Sequence, residues 1–125
     1  MKSKDEINAF LGRETEFEGK LSFKGAVRID GHFAGEIFTE GTLIVGESAV
    51  IKSDIHVSHI IISGEIRGNI IADNRIEIHA PGKVFGNIQA PAVIIEEGVI
   101  FEGNCRMQES EKGEDKKLAI LSQNT

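Results

Sequence analysis

The sequence predicts an all-β protein, a parallel β-helix wound about six times. Three observations predict it. An apolar ladder recurs six times, at Leu21, Ile37, Ile55, Ile70, Ile88 and Cys105. Each rung has an apolar residue four places earlier: Phe17, Phe33, Ile51, Ile66, Val84 and Phe101. Between the two stand a small residue and a polar one, from Gly19-Lys20 through Gly35-Glu36, Ser53-Asp54, Gly68-Asn69 and Gly86-Asn87 to Gly103-Asn104. A repeat unit of 15 to 18 residues is the signature of a solenoid.

Each unit divides into strands and corners. Two residues beyond the anchor comes another inward position: Phe23, Thr39, Val57, Ala72, Ala90 or Met107. A gap then leads to an apolar pair spaced by two: Val27 and Ile29, Leu43 and Val45, Ile60 and Ile62, Ile76 and Ile78, Val93 and Ile95. A period of two is strand geometry, because alternate side chains point to opposite faces. The glycine between Phe17 and Leu21, and its counterparts, exclude a helix and mark a tight corner. All variation in repeat length falls in two further turns, which accept insertions where packed strands do not. Roughly three faces per winding follow, stacked about 4.8 Å apart. Handedness is not readable from the pattern.

Composition narrows the function. The chain has 125 residues, no Trp or Tyr, seven Phe, fourteen Gly, two Pro and a net charge of −6. It lacks the basic stripe with interleaved aromatics of a nucleic-acid surface. One cysteine excludes an internal disulfide and suits a reducing compartment. No segment approaches the ~18 apolar residues of a spanning helix, and no secretory signal is visible. The expected location is the cytoplasm.

No catalytic constellation is found. His32, His56, His59 and His79 read as outward polar positions, with His56 and His59 straddling a corner and His79 near Glu77. Ligand spacing for zinc is absent, and no GxxxxGK[ST] phosphate loop occurs. No cofactor or metal is expected. Asn69, Asn87 and Asn104 form an outward column. Phe38 and Ile71 on one face, Ile44, Ile61 and Ile94 on another, and Phe85 at a corner also read as outward. Such apolar positions are a candidate lateral contact, or else a phase error in the face assignment.

The ends carry the functional argument. A β-helix leaves an unpaired strand edge and an apolar cross-section at each end. Phe17, Leu21 and Phe23 mark the N-terminal end, and Val99, Phe101, Cys105 and Met107 the C-terminal end. Uncapped, these predict end-to-end association. The rod is expected over 17–107, with an N-terminal tail at 1–16 and a charged tail at 108–125, both disordered. The alternative for the ends is that residues 7–11 and 108–121 fold over them. Ile7, Phe10 and Leu11, and Leu118, Ile120 and Leu121, are apolar groups in these tails and candidate membrane or partner contacts.

The run Asn8-Ala9-Phe10-Leu11-Gly12, then Phe17-Glu18-Gly19-Lys20-Leu21-Ser22-Phe23 and Val27-Arg28-Ile29-Asp30-Gly31, resembles the opening of a bactofilin core. The Gly-Asn-Ile steps at 68–70 and 86–88 fit the rest, so the resemblance covers roughly residues 8–107. It implies a bacterial cytoskeletal protein with a right-handed, triangular β-helix and disordered tails. It also implies nucleotide-independent, non-polar filaments joined head-to-head and tail-to-tail, with an aromatic residue in the terminal winding, here Phe101, at the C-terminal junction. The implied roles are cell shape, placement of cell-wall enzymes and polar organisation, with the chain itself, the inner membrane surface and cell-wall or polar proteins as partners. The competing class is an enzyme, a hexapeptide-repeat acyltransferase. Its strict period of 18 disagrees with the spacings of 15 and 17 in this chain. Thr occurs only at positions 15, 39, 42 and 125, so no regular ice-binding array is present.

Overall fold

The computed structural model describes residues 7–107 and 117–121, with the backbone alone for residues 7, 8 and 117–121. Its strands, all paired in parallel, build three ladders. The chain enters with β1 (Ile7–Leu11), followed by β2 (Glu16–Phe23), β3 (Ala26–Ile29), β4 (His32–Thr39) and β5 (Thr42–Val45). A long β6 (Val50–Ile62) bends around a whole winding, then come β7 (Glu65–Arg67) and β8 (Ile70–Ile78). The last windings are β9 (Lys83–Ala90), β10 (Ala92–Glu96), β11 (Ile100–Met107) and β12 (Lys117–Leu121).

The register reproduces the apolar ladder residue by residue. On the first face Phe17, Phe33, Ile51, Ile66, Val84 and Phe101 lie in line. On the second, Leu21, Ile37, Ile55, Ile70, Ile88 and Cys105 do the same. On the third, Val27, Leu43, Ile60, Ile76 and Val93 align, as do Ile29, Val45, Ile62, Ile78 and Ile95. Parallel pairing at one strand spacing puts each inward side chain on its own counterpart, which suits stacked β-branched residues. The core is therefore one continuous aliphatic column, with Ile51, Ile60, Ile62, Ile66, Ile76 and Ile78 fully buried.

One corner has constant length because its geometry leaves no freedom. Gly19, Gly35, Gly68, Gly86 and Gly103 all have positive φ, between 135° and 148°. A Cβ placed on Gly86 would come within 1.8 Å of the Gly68 carbonyl oxygen of the preceding winding. Among the described residues Gly19 has no winding beneath it, and a Cβ there meets nothing closer than the Phe17 ring at 3.7 Å. The other two corners vary, as the uneven spacing predicts. The register slips between Val57 and His59, where β8 carries an extra residue in its corner. A buried hydroxyl closes one of these turns: Thr39 Oγ1 donates to the Phe23 carbonyl at 2.6 Å and accepts from the Gly41 amide at 2.9 Å.

At both termini the ladder outruns the sequence pattern. β1 pairs with β3, placing Ala9 and Leu11 in register with Val27 and Ile29. β12 pairs with β10, placing Leu118 and Ile120 in register with Val93 and Ile95. The ladder thus extends beyond the expected bounds of 17–107, because both segments carry the same spaced-by-two pair that builds the third face. Among the described residues the third face has seven strands and the other two have six. The remainder of the expected tails, 1–6, 108–116 and 122–125, lies outside the described residues.

Two substitutions test this packing. Ile62→Asp buries an unpaired carboxylate at a cost of several kcal/mol, on the order of the whole stability of a small domain, and should abolish the β signal in circular dichroism. Gly86→Ala should lower the melting temperature more than Gly19→Ala: both strain a positive φ at roughly 1 kcal/mol, but only the former also drives a Cβ into a carbonyl.

Candidate polymer interfaces at the ends of the rod

Each end exposes the same inward columns that are sealed in the middle. At the N-terminal end β2 is the outermost strand of the first two faces, and Phe17, Leu21 and Phe23 are half-buried against the core. Their counterparts one winding in, Phe33, Ile37 and Thr39, are 2% exposed. Phe17 stacks on Phe33 with ring centroids 5.1 Å apart and planes 9° from parallel. At the C-terminal end Phe101, Cys105 and Met107 sit half-buried over Val84, Ile88 and Ala90, which are sealed, and Val99 packs at the preceding corner. Burial pushes the Cys105 thiol above its ordinary value, so it is a hydrophobe rather than a ready nucleophile. The sequence-predicted end residues are thus brought together in two separate clusters, one on each end winding.

The apolar tail residues are distributed differently. Strand alternation in β1 sends Leu11 inward against the core and leaves Phe10 outward, 58% exposed. The side chains of Ile7, Leu118, Ile120 and Leu121 lie outside the described residues. The strand edges of β1, β2, β11 and β12 face outward along the axis with no further strand among the described residues. Such edges offer a row of unpaired N–H and C=O groups to another chain.

The histidines pair with carboxylates. Each of three finds a carboxylate on a neighbouring winding or strand position. His56 Nε2 lies 3.2 Å from Asp73 Oδ1. Glu77 gathers His59 at 3.0 Å, His79 at 3.1 Å and Arg75 at 3.4 Å. His79 also approaches Glu96, at 3.5 Å, whose other oxygen accepts the Ala80 amide at 2.9 Å. Among the described residues no group of three or more His, Cys, Asp and Glu side chains could hold a metal ion. Sequence spacing alone did not pair His56 with Asp73 or His59 with Glu77, because partners 17 and 18 positions apart become neighbours only once the register is fixed. In the asparagine column, Asn104 Nδ2 donates to Asn87 Oδ1 at 3.3 Å. The outward apolar assignments hold: Phe38 is 51% exposed and Ile71 38%, while Ile44, Ile61, Ile94 and Phe85 are half-buried.

Comparison with known proteins agrees with the geometry. The family model described as "Bactofilin: Polymer-forming cytoskeletal" matches residues 9–106. The chain belongs to the bactofilin family. It is 31% identical to bactofilin BacO of Myxococcus xanthus over 105 residues, covering 84% of this chain and 83% of the relative. It is 35% identical to bactofilin BacP of the same organism over 106 residues, covering 85% of this chain and 44% of that longer relative. No solved structure matches. Among the described residues no helix is long and apolar enough to cross a membrane. The fold and family together make this a cytoskeletal β-solenoid.

The Glu77 cluster gives the bactofilin rod a pH dependence. Burial raises the Glu77 carboxyl, but the hydrogen bonds from His79 and His59, with Arg75, outweigh it and hold it below 4.5. The hydrogen bond to Glu77 lifts His79 above 6.5 against the opposing effect of burial, and Glu96 adds to the lift. The Ala80 amide, then His79, hold Glu96 below its ordinary value. The raised His79 stabilises the fold fully below about pH 6.5, and that contribution is lost as pH climbs through its folded value. The lowered Glu77 contributes above about pH 4.5 and loses its contribution as pH falls through its folded value. Because these groups are partly solvated, His79→Gln should remove only roughly 1–3 °C of melting temperature near pH 6 and nothing near pH 9, as read by thermal circular dichroism.

Proposed function

We propose that this bactofilin assembles end-to-end, without nucleotide, into filaments lacking polarity, and that the filaments are scaffolds that recruit partners for cell shape or for cell-wall or polar organisation. The observation that carries the reading is the contrast along the inward columns. Phe17, Leu21 and Phe23 at one end, and Val99, Phe101, Cys105 and Met107 at the other, are half-exposed members of columns that are sealed everywhere between. Apolar area left open next to an unpaired strand edge is stabilised by burial, at roughly 25 cal/mol per Å².

The bactofilin resemblance implies two kinds of junction, N-terminal with N-terminal and C-terminal with C-terminal. Each is isologous, the same surface used twice about a two-fold axis. Their alternation reverses each rod relative to the next, so the filament has no overall direction. The columns contain no phosphate-binding loop, so assembly is driven by burial rather than by a nucleotide switch. Exposure of Phe10, 58%, supports it as a contact with a membrane surface or a partner. One exposed side chain per protomer binds weakly, and a polymer multiplies such contacts. Residence in the cytoplasm, at the inner face of the membrane, belongs to the same proposal.

Negative-stain electron microscopy of the purified chain without nucleotide or metal should show long, thin filaments. Discrete trimers would instead favour an acyltransferase-like particle. Phe101→Arg should leave the rod folded and yield dimers joined through the N-terminal ends; long filaments from folded Phe101→Arg protein would refute the C-terminal junction. Cys105 supplies an independent readout. Its alkylation should be slowed at least about tenfold in filaments relative to the Phe101→Arg dimer, since only the sealed junction excludes the reagent.

A further inference from the structure

The second face carries an apolar strip that the end-to-end reading does not use. Phe38, His56 and Ile71 lie in register on three successive windings, outward and away from both ends. Phe38 is 51% exposed and Ile71 38%. The His56 ring stands edge-on to Phe38, with centroids 5.3 Å apart and planes at 84°. Together they line a shallow groove of about 360 Å³, and Phe38 and Ile71 are separated by two strand spacings, about 9.6 Å.

The flanks of the strip are acidic. Glu36 and Asp54 line the groove on the side of the glycine corner. Asp73 stands on the other side, on His56 at 3.2 Å. Lys20 only grazes Glu36 at 4.0 Å, and both are largely exposed. The Asp54 carboxylate has no side-chain partner among the described residues. This charge decides between occupants. A second copy docking the same strip about a two-fold axis would set Glu36 and Asp54 against their own equivalents or against Asp73, which repels either way. An anionic lipid surface is repelled likewise.

We infer that the Phe38–His56–Ile71 strip is a docking site for a partner segment that is apolar and cationic, with two aliphatic or aromatic side chains set beside lysine or arginine. The apolar side chains cover Phe38 and Ile71, and the cations meet Glu36, Asp54 and Asp73. Placed mid-rod, the strip stays open when the ends are joined, and recurs once per protomer along a filament. It gives chemistry to the recruited partner of the proposed scaffold and rests on that reading. Binding itself requires only a folded rod, so a failure of filaments to form and a failure of docking are separate results.

The test is fluorescence anisotropy with the full chain and a short labelled peptide alternating leucine with lysine. Two companion peptides replace lysine by glutamate, or leucine by serine. The leucine–lysine peptide should bind at least about tenfold more tightly than either companion, and less tightly as salt is raised. Phe38→Ser with Ile71→Ser, and separately Glu36→Gln with Asp54→Asn, should each weaken it about tenfold with the β signal intact. Glu47→Gln with Glu65→Gln, elsewhere on the rod, should change it by less than about twofold. Equal binding of all three peptides, or affinity unchanged by the Phe38 and Ile71 substitutions, would overturn the inference. So would loss of phosphatidylglycerol-vesicle binding or of filament bundling in that double variant, which would assign the strip to lipid or to a second copy.

Discussion

A carbonyl oxygen stands where the corner glycine's side chain would be. That close approach, Gly68 beneath Gly86 and Gly86 beneath Gly103, fixes each winding directly over the last. With the corner fixed, the two strands that leave it are fixed as well, and identical side chains must stack in columns. The sealed aliphatic interior, the outward strips and the two open ends all follow from that one vertical contact. Ser53 shows what the corner tolerates. It holds the same register position without a positive φ and turns its hydroxyl onto the Asp54 carbonyl at 3.0 Å.

Most of the rod was legible in the sequence because its signal is periodic. The anchors from Leu21 to Cys105 and their companions from Phe17 to Phe101 are the register of the first two faces, residue for residue. The outward positions of Phe38 and Ile71 followed from the same alternation. The two terminal strands escaped for different reasons. Leu118 and Ile120 repeat the pair at Val93 and Ile95, but they follow Met107 after a charged stretch far longer than the usual corner. Near the N-terminus, Ile7, Phe10 and Leu11 are spaced like a helix face, while the residues in register with the core are the small Ala9 and Leu11.

The histidine–carboxylate contacts were hidden for another reason. A solenoid brings together residues one repeat apart, and the repeat length is not constant. His59 meets Glu77 across 18 positions, and His56 meets Asp73 across 17. Only the register says which carboxylate a given histidine faces. The candidate end interfaces needed no such detail, since an end is defined by where a column stops.

The uneven ladder has a mechanical consequence. Because β1 adds a seventh rung to the third face, the N-terminal end is a stair rather than a flat triangle. A flat three-sided end would let an apposed copy settle in any of three rotations. A stair has one tread, so an apposed copy can seat in a single rotational setting, as a lock washer does. A junction keyed in this way would carry torque as well as tension, and the twist of a long chain of rods would be written into five residues at its beginning.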